Sequence, residues 1–211
     1  MGPEIERAEA KGEAISYPAV THPDLSRHDA WPDFRVKGST IRSKLDFAAE
    51  RLGPRAVHSL TLFLGELVPA QILEADWYPF ASYDHLLHRM AEDYFEGDLE
   101  RLQQIGDFSA HRALSTTYSA YAVRRDFFHF LERISALHER FYSLGRLRLV
   151  ERSDDGCVLQ LEEVPVVSLA DVQVARGFYR GAAQLLGRSQ VVCEFEEVEG
   201  PGVRYRLAWE S

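Results

Sequence analysis

The sequence predicts an α+β domain: an N-terminal helical subdomain packed on a four-stranded antiparallel sheet, with one long helix between the two hairpins. Three observations carry this. Apolar residues recur at helical spacing from about residue 40 to 145, and the pattern then switches, between Arg146 and Trp209, to strand, strand, helix, strand, strand. The strands alternate one-sidedly: Leu147 and Leu149, then Cys157, Leu159 and Leu161, then Val191, Cys193 and Phe195, then Val203, Tyr205, Leu207 and Trp209 face one way. Such a sheet has one face for a core and one for water. Helices segregated from strands in this way pack on one side of an antiparallel sheet.

The elements follow in order. Residues 1–35, broken by Pro3, Pro18, Pro23 and Pro32, read as a mobile arm, with Ile15, Tyr17, Val20, Trp31 and Phe34 available to dock. The domain spans 36–211, helical over 36–145 and ββαββ over 146–211. Ser39 or Thr40 is placed to cap a first helix bearing Ile41, Leu45, Ala48 and Leu52, which Gly53 stops. Pro54 starts a second helix that ends near Gly65. Ser82 is placed to cap a third with the stripe Tyr83, Leu86, Leu87, Met90, Ala91 and Tyr94. Asp98 caps a short helix that Gly106 is expected to stop. A less regular segment runs from Phe108 to Val123, and Asp126 opens one continuous helix that ends at Gly145. Ser153-Asp154-Asp155-Gly156 is a hairpin turn. A helix from about Leu169 to Leu186 follows, then a hairpin in which Glu194 and Glu196 face Arg204 and Arg206.

Composition excludes several classes. A chain of 211 residues with 45% hydrophobic and 27% charged residues is an ordinary single domain able to bury its own core. A net charge of −9 argues against tracking a nucleic-acid backbone or an anionic membrane surface. No apolar run is long enough for membrane insertion, and the start lacks a secretory signal, so the cytoplasm is the expected location. Two cysteines, Cys157 and Cys193, are too few for a disulfide scaffold, and both fall on inward strand faces. Walker, Rossmann, nucleophile-elbow and zinc-protease signatures are absent, so no catalytic residue and no enzyme activity is assigned.

The run Val36-Lys37-Gly38-Ser39-Thr40-Ile41-Arg42-Ser43-Lys44-Leu45-Asp46-Phe47, followed by Arg51-Leu52-Gly53, resembles the opening of the DUF2378 family, known largely from myxobacteria. Trp77-Tyr78-Pro79, Tyr83 with Leu86-Leu87, Gly97-Asp98-Leu99-Glu100, Ile105-Gly106, Ser109-Ala110, Gly177-Phe178-Tyr179-Arg180-Gly181-Ala182, Leu186-Gly187 and Leu207-Ala208-Trp209 match in order. The resemblance covers residues 36–209. The family's layout is similar to haem nitric-oxide-binding, 4-vinyl-reductase-type and Golgi-transport adaptor domains. It implies a ligand-binding, signalling or adaptor module.

Candidate residues are few. A haem sensor needs an axial histidine and cations for the propionates. The haem nitric-oxide-binding family supplies Tyr-x-Ser-x-Arg for the second task. Here Tyr142-Ser143-Leu144-Gly145-Arg146 carries Leu144 where Ser belongs, so haem is not expected and no cofactor is assigned. His111 is the one polar anchor proposed, with Phe108, Tyr118, Phe128 and Phe178 as ligand-lining residues. Phe128 stands off the stripe Phe127, Phe130, Leu131, Ile134 and Leu137. His85, His88 and Glu92 share a helix face, but one opposite the apolar stripe and therefore expected in solvent, so no metal site is assigned. Arg124-Arg125 reads as a solvated cap, and His129 with Glu132 as a surface pair.

Two functional readings stay open. One is a binding module holding a small apolar ligand or a protein partner. The other is an assembly unit, a homodimer built through the arm and a sheet edge. An enzyme of unrecognised type would require a cofactor or a buried His–carboxylate pair.

Overall fold

The computed structural model describes residues 33–67, 71–116, 119–122, 126–198 and 202–210. Phe34 is already part of the core and stacks on Phe80, ring centroids 4.1 Å apart. Arg35 belongs to a strand, and residues 1–32 of the expected mobile arm lie outside the described ones, as do Tyr118 and Arg124-Arg125.

A short strand β1 (Arg35–Lys37) pairs antiparallel with β2 (Trp77–Pro79). Three-residue strands are too short to show alternation, so the sequence carries no sign of this ribbon. The ribbon changes how the first helix starts. In α1 (Gly38–Phe47) the N-cap is Lys37, and no side chain caps it. The Gly38 and Ser39 amides donate instead to the Asp76 and Glu74 carbonyls at 2.9 and 3.1 Å. The helix thus starts earlier than a Ser39 or Thr40 cap would set it, and loop carbonyls satisfy its first donors. Thr40 is thereby released for another role.

A π-helical turn (Ala48–Leu52) continues α1 and stops at Gly53, φ 92°, as expected. Then come α2 (Pro54–Leu67) and α3 (Phe80–Tyr94), which starts before the expected Ser82 cap because the Phe80 amide donates to the Phe34 carbonyl next to β1. The face of α3 expected in solvent is instead covered over its first half: Asp84 and His85 are buried, His88 is largely shielded, and Glu92 alone of the three candidate ligands is exposed. The helix runs through the centre of the helical half with neighbours on several sides, so no open face remains there.

After a 3₁₀ turn (Leu99–Leu102), which Asp98 caps through the Glu100 amide, α4 (Gln103–Ser115) runs straight through Gly106. The expected stop is therefore corrected. A Cβ on Gly106 would lie 1.9 Å from the Val174 carbonyl oxygen, and one on Gly177 would lie 1.9 Å from that of Gln103. These glycines form the close crossing of α4 with α8 (Leu169–Leu185) and do not end a helix.

The helix expected from Asp126 to Gly145 is two: after α5 (Ser119–Ala122) come α6 (Phe127–Leu131) and α7 (Ile134–Phe141). Asp126 caps α6 through the Phe128 and His129 amides, at 2.9 and 3.3 Å. At the start of α7 the Ser135 hydroxyl donates to the Leu147 carbonyl, tying that helix to the sheet.

The sheet has β3 (Arg146–Arg152), β4 (Gly156–Glu162), β5 (Ser189–Glu197) and β6 (Val203–Glu210) in the antiparallel order β3-β4-β6-β5. The last hairpin has the expected register, Glu194 opposite Arg206 and Glu196 opposite Arg204. Two cores result. One lies among α1, α2 and α3, and the other between the sheet and α6, α7 and α8. Ala170 and Val174 of α8 enter the first, while Val172, Tyr179 and Ala182 enter the second. One helix wedged between two cores is what holds the halves together.

Candidate functional site

A cavity of about 490 Å³ opens at the junction of the halves. That is within the range of small-molecule sites. Helix α1 contributes Thr40, Arg42, Ser43 and Lys44, and α4 contributes Ser109, Arg112, Ala113 and Thr116. On the far side stand Ile134, Leu137, His138 and Phe141 of α7, Leu147 of β3, and Val174, Ala175, Phe178 and Tyr179 of α8. One wall is polar and the other largely apolar.

Lys44 is the unusual wall residue. Only 3% of it is exposed, and burial pulls its ammonium from 10.5 down to about 8, partly offset by the nearby Asp171 carboxylate. Its Nζ lies 5.6 Å from the centroid of the Tyr83 ring. Its one described hydrogen bond is long, 3.5 Å to Ser109 Oγ. Ser109 gives its own proton to the Ile105 carbonyl at 2.7 Å, so it accepts from Ser43 Oγ at 2.7 Å and from Lys44. Thr40, one turn before Lys44 on the same face, is 8% exposed and its hydroxyl has no partner among the described residues.

Behind Lys44 lies a second buried group. Asp171 accepts from the Tyr83 and Tyr142 hydroxyls at 3.0 and 2.9 Å. Burial raises its carboxyl to about 6, against the pull of those hydroxyls and of Lys44. Burial also drives both phenols well above their usual range. The charge of Asp171 is thus spread over two hydroxyl donors, and no direct contact joins it to Lys44. At the mouth the guanidinium groups are already paired. Arg112 meets Asp46 and Glu50, each at 3.1 Å, and Arg42 meets Glu74 at 3.5 Å.

Of the residues proposed from sequence, Phe178 lines this cavity. Phe108 packs edge-on against Phe47 at 5.5 Å, beside the first core. The His111 side chain is 50% exposed and its Nδ1 lies 2.9 Å from the Asp107 carbonyl. Phe128 is buried in the second core, edge-on to Trp209 at 5.8 Å and beneath the Arg152 guanidinium at 3.7 Å. The structure therefore does not gather these residues around His111. The cavity's own imidazole is His138, stacked on Tyr142 at 4.8 Å, with Nε2 3.3 Å from the Leu144 carbonyl, and burial lowers it to about 4.

Both cysteines are free and buried, and desolvation pushes both thiols up to about 12, which leaves them inert at neutral pH. Among the described residues no group of three or more His, Cys, Asp or Glu is placed to hold a metal ion, and no helix is long and apolar enough to cross a membrane. His129 and Glu132 approach to 3.4 Å at the surface.

Solved structures share this arrangement. An Fe(II) unliganded H-NOX protein from K. algicida superposes with a TM-score of 0.63 at 12% identity, over 83% of this chain and 97% of that one. An H-NOX protein from S. oneidensis in the Fe(II)NO state gives 0.64 at 12% identity, over 83% and 99%, and a mutant of it in the Fe(II) state gives 0.66 at 14%, over 83% and 96%. The fold is H-NOX-like. No family model matches the sequence, and no curated protein matches it. The H-NOX-like fold therefore rests on architecture alone, and the chemistry of the cavity rests on this chain's own residues.

The sequence did hold a signal for the missed residue. Ile41, Lys44 and Ala48 fall at i, i+3 and i+7, which puts a lysine on the buried stripe of α1. Asp171 gave no such sign, because an acid three residues after Ser168 reads as an ordinary first-turn residue.

Proposed function

We propose that this chain is a non-enzymatic, cytoplasmic ligand-sensing domain that holds a small, largely apolar molecule at the junction of its halves and signals to a protein partner. The observation that carries this is the cavity itself. It is of ligand size, apolar on one wall, and bears on the other a buried ammonium and a buried hydroxyl without a protein partner. Buried polar groups are expected to be satisfied, so the Thr40 hydroxyl and the Lys44 donors not used on Ser109 ask for a ligand. The ordered motifs from Val36 to Trp209 support membership of the DUF2378 family. H-NOX proteins of known structure, seen in Fe(II) and Fe(II)NO states, support a sensing role by likeness of fold.

Haem does not suit this cavity. Each polar residue of the Tyr142–Arg146 segment is already engaged. The Tyr142 hydroxyl donates to Asp171, and Ser143 Oγ donates to the Asp33 carbonyl and accepts from the Arg35 amide. Arg146 pairs with Glu163 at 3.3 Å. None of the three is left for a propionate. His111 is turned to solvent, and His138 is clamped between the Tyr142 ring and the Leu144 carbonyl.

Native mass spectrometry of the full chain, purified from cells supplied with a haem precursor, tests the reading. A bound organic mass that disappears in Ala113→Trp, which fills the cavity, is expected. A haem mass would refute the exclusion of haem. A bare chain that also takes up no apolar fluorescent probe would refute the cavity reading.

A further inference from the structure

The polar wall of the cavity has a specific composition. Among the described residues its lining holds one buried cation, Lys44, and one buried hydroxyl with no partner, Thr40, a turn apart on α1. An ammonium has three donors, and Lys44 uses one in a contact at the limit of hydrogen bonding, 3.5 Å to Ser109. The fixed negative charge nearby is Asp171, which accepts from two tyrosine hydroxyls. The rim guanidinium groups of Arg42 and Arg112 are matched by Glu74, Asp46 and Glu50. The interior therefore has donors to offer and one positive charge.

Resting on the cavity reading above, we infer that the ligand is a monocarboxylate with an apolar body, its carboxylate taken by the Lys44 ammonium and the Thr40 hydroxyl. A carboxylate has two oxygens, one for each donor, and charge-assisted hydrogen bonds of this kind are the strong ones. A single negative charge neutralises the single interior cation. A dianion such as a phosphate monoester would bring a second charge into an apolar site with nothing to pair it. The body lies against Ile134, Leu137, Phe141, Leu147 and Phe178, which offer hydrocarbon and ring surface but no donor. A neutral apolar molecule would leave Lys44 buried without a counter-ion in the cavity, the costly arrangement.

The test compares acids with their neutral isosteres on the full chain. Cis-parinaric acid serves as an aliphatic probe and pyrenebutyric acid as an aromatic one, each beside its methyl ester, titrated by fluorescence at neutral pH. At least one acid is expected to bind about tenfold more tightly than its ester, the equivalent of one hydrogen bond to a charged group. The preference should vanish in Lys44→Met and shrink in Thr40→Val, with ester affinity in Lys44→Met equal to or better than in the wild type. Which acid shows it identifies the body as chain or ring. Equal binding of acid and ester, or a preference that survives Lys44→Met, would overturn the carboxylate assignment and leave the cavity reading standing, provided Ala113→Trp still abolishes ester binding. Failure of all four probes to bind would take down both.

Discussion

Replacing Lys44 with Met should make the ligand-free protein more stable, by an amount that depends on pH. Lys44 is buried, and its ammonium titrates near 8 in the fold against 10.5 for the ordinary side chain. Below both values the buried charge costs about 3 kcal/mol, at about 1.36 kcal/mol for each unit of difference. The sign follows from the lowered folded value. The native state binds the proton less tightly than the unfolded chain, so the penalty is complete at low pH and fades as pH rises from about 8 towards 10.5. Two-state linkage puts it near 3 kcal/mol at pH 7 and about 2 kcal/mol at pH 9. Met is close to Lys in volume and carries no charge, so Lys44→Met removes the whole penalty. The assay is urea unfolding of both proteins at each pH, with the difference between them as the readout. Taking the difference cancels Cys157, Cys193 and the buried tyrosines, whose raised values erode stability at alkaline pH in both proteins. The variant should exceed the wild type by about 3 kcal/mol at pH 7, with the gap narrowing by about 1 kcal/mol at pH 9. A gap that does not change with pH, or a less stable variant, would refute the view of Lys44 as a buried cation held at a cost for binding.

Four more perturbations test the frame that holds the site. Gly106→Ala should destabilise by about 1–3 kcal/mol in thermal unfolding, because its Cβ must move a carbonyl 1.9 Å away. Gly65→Ala in α2, where nothing lies within 4 Å, should instead stabilise by up to about 1 kcal/mol. Phe128→Ala should cost about 3–5 kcal/mol, seen as a large drop in Tm, since the ring is buried against Trp209. Asp126→Ala should cost about 1 kcal/mol in urea titration by freeing the Phe128 and His129 amides at the start of α6.

The amino-acid sequence on its own determined the class of the fold and the whole ββαββ half. Alternation over Cys157–Leu161 and Val203–Trp209 marked the inward faces, with one exception. Val158 was placed on the outer face and is buried, since β4 is an internal strand with neighbours on both edges. Period-two patterns are local, and a hairpin needs only a turn and two strands, so little beyond neighbouring residues decided them. Local chemistry likewise determined the caps at Asp98 and Asp126 and the stop at Gly53. What the tertiary structure alone decided is everything that depends on two distant segments meeting. Gly106 looks like a helix stop until α8 is laid across it. Thr40 looks like a cap until the helix starts before it, against the Glu74 and Asp76 carbonyls. The face bearing His85 looks open until its neighbours close over it. The cavity is the extreme case, because its walls come from α1, α4, α7, β3 and α8, separated by up to about 140 residues of chain. Lys44 shows in the sequence as a misplaced charge. Only packing turns it into an anchor, because only packing removes the water that would otherwise satisfy it.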